Sequence, residues 1–289
     1  MKERKGFLYY FVRNRNGMIG MIGVLLIVLI GLVGPMLITK PDGYTQDILQ
    51  APSALHWLGT DNIGLDIFAE LVWGARTSLY VSVMAMLIAG VIGIPVGLLC
   101  GYNTGWLREV IDGFIDIFMT LPMLPLMIII AAVMGTSITN VAIILGIFSW
   151  PQLARVTKNS TMKIREMQYI EACTCLGLSK PRILFKHILI NATGPVFVNM
   201  TLVMASAVLT EASLSFLGLG DPTTWSWGTM LKRAWGQNAV ISNPNPWWWW
   251  LLPSLSWCMW FASICWERPS MTVSALNPES DRKGVQTYV

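Results

Sequence analysis

The chain has 289 residues, 54% of them apolar and only 12% charged, with a mean hydropathy of +0.56 and a formal net charge of +4. Soluble domains carry about 25% charged residues, so this composition excludes one and reads as an all-α polytopic membrane protein. Two histidines and five cysteines in or beside apolar runs argue against a disulfide framework or a metal site, and Cys173-Thr-Cys175 alone is a weak metal signal.

Segment 1–17 is basic, through Lys2, Arg4, Lys5, Arg13 and Arg15. Met18–Ile38 follows as the first span. It is longer than a signal-peptide core and no small-residue cleavage pattern comes after it, so it reads as retained. Residues 39–78 form a long loop made acidic by Asp42, Asp47, Asp61, Asp66 and Glu70. A core, 79–265, carries the remaining spans: Leu79–Gly101, Phe114–Met134, Ile138–Ala154, Pro195–Leu219 and Trp247–Cys265. Leu121-Pro122-Met123-Leu124-Pro125 should bend the third span and Pro151 should kink the fourth near its end. A second long loop, Gly220–Pro246, holds Trp225, Trp227 and Trp235, and the run Trp247–Trp250 opens the last span where an aromatic belt is expected. Residues 266–289 form a tail.

Lys and Arg in short loops favour the cytoplasm. With the N-terminus inside, sixteen of the twenty cations fall on inner segments; only Lys40, Arg76, Lys232 and Arg233 lie outside. The topology expected is six spans with both ends cytoplasmic.

Seven of the inner cations sit in 155–190. A helix through Ile164, Met167, Ile170 and Ala172 should end at Gly177, a residue suited to the left-handed stop; Ser179 can cap a second helix with Pro181 in its first turn. That is a projecting helix-turn-helix knob. The residues by themselves leave two readings open: a handle gripped by another protein, or an amphipathic helix lying on headgroups.

Ionisable residues within spans are functional candidates. Asp116 lies near the inner end of the third span, where snorkelling or capping is expected. Glu211 is deeper in the fifth, with Ser213 and Ser215 placed to bond across helices, either lining a pore or packing it; Pro122 belongs to the same pair of readings.

Glu171-Ala172-x4-Gly177, followed by Ile188-Leu189, resembles the EAA loop of ABC-type importer permeases. His56-Trp-Leu-Gly59-Thr60-Asp61-x-x-Gly64-x-Asp66, Gly74-Ala-Arg76-x-Ser78-Leu79, Leu209-Thr-Glu211-Ala-Ser-Leu-Ser-Phe-Leu-Gly218-Leu-Gly220 and Ser226-Trp227-Gly228-x-Met230-Leu231 resemble the dipeptide/oligopeptide/nickel branch, and within it the second, C-type permease. The likeness covers roughly residues 44–253. It implies no catalysis in this chain, a bacterial or archaeal cytoplasmic membrane, and half of a translocation path for peptides, with nickel complexes as the alternative cargo. Partners implied are a homologous second permease, two ATP-binding subunits that hold ATP and Mg, an extracytoplasmic solute-binding protein and membrane lipid, without nucleic acid. Glu171, Ala172, Gly177 and Arg182 would couple to the ATPases. Gly59, Thr60, Asp61, Trp227 and Gly228 would serve outer docking or gating. No Gly-x4-Gly-Lys-Ser/Thr phosphate loop occurs in the chain itself. A stand-alone secondary transporter would show several buried ion-coupling carboxylates, and a membrane-bound enzyme a recognisable constellation; the chain offers neither.

Three positions depart from the family pattern: Cys173, the position near Ile190 where Pro is usual, and Leu65. The tail departs further at Cys265–Thr272. With suitable synonymous codons, that stretch shifted by one base translates as Leu-Leu-Gly-Thr-Ala-Leu-Asn-Asp, the family pattern, which points to a local frameshift within 256–273.

Overall fold

The computed structural model describes residues 15–41 and 47–236. Eight helices are defined there: α1 (Arg15–Leu37), α2 (Ile67–Tyr102), α3 (Trp106–Thr120), α4 (Met123–Met134), α5 (Ile138–Arg165), α6 (Gln168–Cys175), α7 (Lys180–Phe216) and α8 (Trp227–Gly236). No strand is present among the described residues. By length and apolarity α2 and α7 can each cross a membrane, and α3 with α4 make a third candidate as a broken span. The first, second, fourth and fifth expected segments each fall on one helix, and the third falls on two, α3 and α4. The sixth, the tail and the frameshift stretch lie outside the described residues.

Several boundaries differ from expectation. Helix α2 starts at Ile67, inside the expected 39–78 loop, because the Asp66 carboxylate accepts hydrogen bonds from Phe68 N (2.8 Å) and Ala69 N (3.0 Å) and satisfies the first turn. The helix expected to end at Ala154 runs on as α5 to Arg165, with Pro151 inside it, so residues 155–165 are an extension of the span. Helix α7 begins at Lys180 and passes through a π-helical turn, Ile183–Ile188, into its apolar length; Ser179 precedes it without a side-chain cap bond. The expected bend at Pro122 is present. Pro122 stands exposed at the break between α3 and α4, whose axes differ by 81°.

The centre of the bundle is a glycine seam. A Cβ on Gly93, Gly97 or Gly101 of α2 would lie 2.8 Å from the Trp150 carbonyl, 2.5 Å from that of Ala154 and 2.6 Å from that of Lys158, all on α5. Glycine at every fourth position lets two backbones touch along their length, the close approach that packs membrane helices where burial of apolar surface gives no net drive. Charge ties α3 to the same shaft. Lys158 Nζ meets Asp112 Oδ2 at 2.6 Å and Arg155 pairs with Asp116. Asp116 is therefore partnered by a cation of α5.

Candidate functional site

Two ends of the bundle hold the residues singled out by sequence. At one end α6 forms the expected knob. Ile170 is buried with Ile164 of α5 and Ile183, Leu184 and Ile188 of α7, so one face of this eight-residue helix is cemented to the bundle. The helix stops at Gly177, at φ +76°. Leu178 N donates to Cys173 O (3.2 Å) and Gly177 N to Thr174 O (3.0 Å), the paired bonds of a Schellman turn. Open space surrounds Gly177, so its backbone angle alone demands glycine. Glu171, Ala172, Gly177 and Arg182 are all exposed, and Leu176 beside them is 79% exposed. Arg165 Nη1 donates to Tyr102 O (2.9 Å), joining the last turn of α5, just before the knob, to the end of α2. The knob is thus a small exposed face on a stiff mount.

At the opposite end, the long loop motif is a capping device. Asp61 Oδ1 accepts from Leu65 N (2.8 Å) and Ile63 N (2.9 Å); Ile67 N donates to Gly59 O (3.1 Å); His56 Nδ1 lies 2.9 Å from Asp66 Oδ2. Burial pushes the Asp61 carboxyl above its ordinary value of 3.8, against those N–H groups and the Arg233 guanidinium, which pull it back. Helix α8 closes over this loop. Trp227 Nε1 donates to Leu71 O (3.1 Å), and a Cβ on Gly74 would strike the indole at 2.8 Å. Gly228 sits on α7, where a Cβ would lie 2.4 Å from Ala212 O. Arg233 pairs with the buried carboxylate of Glu70 and approaches Asp61 Oδ2 at 4.0 Å.

Gly59, Thr60, Asp61, Trp227 and Gly228 are therefore all buried. In this chain they hold the loop, α2, α7 and α8 together, and their side chains offer no docking face. Glu211 is buried too; Ser215 Oγ donates to it (2.7 Å) and the Ser226 hydroxyl lies beside the same carboxylate. Ser213 is exposed and bonds to Leu209 O of its own helix (2.9 Å), and Ser215 also bonds within α7, so neither bridges helices as expected. Sequence reasoning missed Glu70, Arg233, Asp112 and the glycine seam. The four-residue spacing of Gly93, Gly97 and Gly101 was a usable signal for the seam; no local signal links Glu70 to Arg233, 163 positions apart.

Long packed helices with a short helix mounted at one end make up the described fold. The arrangement matches the inward-facing MetNI methionine ABC transporter, with a TM-score of 0.54 and 21% identity over 70% of this chain and 96% of that one. Residues 93–264 match the family described as binding-protein-dependent transport system inner membrane component, and residues 4–52 match the N-terminal membrane domain of oligopeptide transport permease C. The dipeptide transport system permease protein of Alkalihalophilus pseudofirmus is 35% identical over 84% of this chain and 80% of its own length. The oligopeptide transport system permease protein of Bacillus subtilis is 36% identical over 78% and 75%. A glutathione transport system permease protein of Pectobacterium atrosepticum is 37% identical over 64% of this chain, an alignment that spans 62% of the relative. The chain belongs to the family of binding-protein-dependent inner-membrane transport components, the permease subunits of ABC importers. That family is one of transport proteins, and in general works with a partner permease, ATPases and a solute-binding protein.

Proposed function

We propose that this chain is the C-type permease of an ATP-driven importer of short peptides, with the α6 knob and both termini on the cytoplasmic side. The observation that carries this reading is the exposed Glu171–Arg182 surface on a mount bonded to both α2 and α7. Two ATP-binding subunits, holding ATP and Mg, would grip Glu171, Ala172, Gly177 and Arg182. Their closure would move α5 directly, since the knob follows it, and α2 through the glycine seam. The second permease would complete the path, and lipid would cover the apolar outer surface. Peptide cargo is supported by relatives whose names specify dipeptide and oligopeptide transport. Gly59, Thr60, Asp61, Trp227 and Gly228 would act at the outer side as a rigid gate element beneath the solute-binding protein. Glu211 would hold that element to α7, and Pro122 would set the angle of the α3–α4 break.

The family match ends at residue 264, at the edge of the departing tail, in keeping with a frameshift there; codons incompatible with the alternative translation would end that idea. The test of coupling is co-purification of the ATPase subunits with the wild-type chain and their loss with Glu171→Lys, while membrane insertion persists. Retention of peptide-stimulated ATPase activity in that variant would count against the knob as the coupling surface.

A further inference from the structure

A cavity of about 580 Å³ opens at the end of the bundle opposite the knob, between the 62–65 loop, the end of α7, the 222–225 turn and α8. Its volume lies in the range of small-molecule sites, about 300–1,000 Å³. Lys232 and Arg233 line it, and among the described residues no Asp or Glu does. Asp61 and Glu70 are fully buried outside its wall, and Arg233 turns part of its guanidinium to them; Glu211 is buried behind Ser215, and Asp221 bonds Thr223.

The Arg233 guanidinium is committed to Glu70 and Asp61, which leaves Lys232 as the cation of the wall without a partner among the described residues. The Lys232 ammonium makes no hydrogen bond or ion pair within the described residues and is exposed to the cavity mouth. The Ser215 and Thr229 hydroxyls of the wall are engaged with Glu211 and Ser226, and Trp225 adds an aromatic wall with the Lys40 ammonium 4.8 Å from its ring centroid. A free ammonium at a cavity with no acid among its described wall residues selects an anion; the aromatic wall and the volume select more than an inorganic one.

We infer that this cavity is an outer-mouth site for a small carboxylate-bearing solute, of the size of a dipeptide, with Lys232 holding the C-terminal carboxylate and Trp225 flanking a side chain. The inference rests on the peptide reading above and specifies a residue for it. A peptide released at the mouth loses the donors that bound it in its carrier. Lys232 replaces one of them before the path opens, so selection for a free carboxylate belongs partly to the permease.

The test uses the complete importer in lipid nanodiscs, with alanyl-alanine and its C-terminal amide as probes. Acylation of Lys232 by an amine-reactive reagent is followed by mass spectrometry, with Lys186 as the reference. Alanyl-alanine should slow the labelling of Lys232 by about fivefold to tenfold, the range for one charge-assisted hydrogen bond; the amide should leave it unchanged. In uptake, Lys232→Gln should lower the preference for acid over amide by a similar factor. Equal labelling with and without alanyl-alanine, or an unchanged acid-to-amide ratio in the variant, overturns the site. Failure of the wild-type importer to take up alanyl-alanine at all would instead overturn the peptide reading.

Discussion

Arg233 donates to the buried carboxylate of Glu70, which lies 163 positions earlier in the chain. The pair joins α8 to the first turn of α2 and sets the geometry of the whole end opposite the knob. Glu70 is fully buried, and Asp61, equally buried, stands 4.0 Å from the same guanidinium. One cation therefore serves two carboxylates. Arg233→Ala should cost about 3 kcal/mol, because it leaves both buried carboxylates without a counter-cation. Glu70→Gln keeps a polar group there and removes a charge, and should cost roughly 1 kcal/mol. Tryptophan fluorescence melts in detergent measure both; a glutamine variant as unstable as the alanine variant would show that the pair is not the clamp.

The glycine seam makes a second prediction. Gly97→Leu should prevent α2 from seating on α5, because even a Cβ would lie 2.5 Å from the Ala154 carbonyl and 2.6 Å from Thr157 Cβ. Gly113→Ala, at an exposed position of α3 with nothing within 4 Å, is the matched control and should be neutral or slightly stabilising through helix propensity. Size-exclusion profiles of fluorescently tagged variants separate the outcomes. A monodisperse Gly97→Leu protein with wild-type melting would remove the seam from the argument.

At the knob, conformation can be separated from chemistry at Gly177. Its φ of +76° lies in open space, so only backbone strain opposes a side chain. Gly177→Val should strain the turn by about 1–2 kcal/mol and abolish peptide-stimulated ATPase activity, whereas Gly177→Asn, which tolerates the left-handed region, should retain most of it. Equal activity in the two variants would mean that the turn does not shape the coupling surface.

Stability near Asp61 should depend on pH with a defined sign. Burial raises its carboxyl above 3.8. The folded state thus holds the proton more tightly than the unfolded chain. The resulting stabilisation is fully present below 3.8 and is lost as pH rises through the higher folded value. Asp61→Asn keeps an oxygen for the Leu65 and Ile63 N–H groups and cannot titrate. Melting temperatures of the wild type should fall with rising pH across that window, and those of Asp61→Asn should not. Parallel pH profiles would place the dependence elsewhere.

Much of the fold is legible in the sequence for simple reasons. Apolar runs of span length locate helices whatever they pack against, and Gly177 announces its turn because few other residues accept that backbone angle. Boundaries were less legible. Asp66, an ordinary acidic loop residue in sequence, becomes the cap that starts α2 at Ile67, and α5 runs on past Ala154 to Arg165 with Pro151 inside it. The site residues divide the same way. Glu171, Ala172, Gly177 and Arg182 were readable as a local surface and are exposed as one. Gly59, Thr60, Asp61, Trp227 and Gly228 were readable as a motif, but their burial, and hence their role as a clamp, was not.

Local chemistry written along the chain determined that it is helical, that it belongs in a membrane and that a basic knob interrupts its spans, because each of these depends on the hydropathy or backbone freedom of neighbouring residues. Tertiary structure alone decided which distant charges meet, which glycines bear another helix, and where a cationic cavity is left between four separate segments. Those outcomes depend on how helices approach in space, and no short stretch of sequence carries that information.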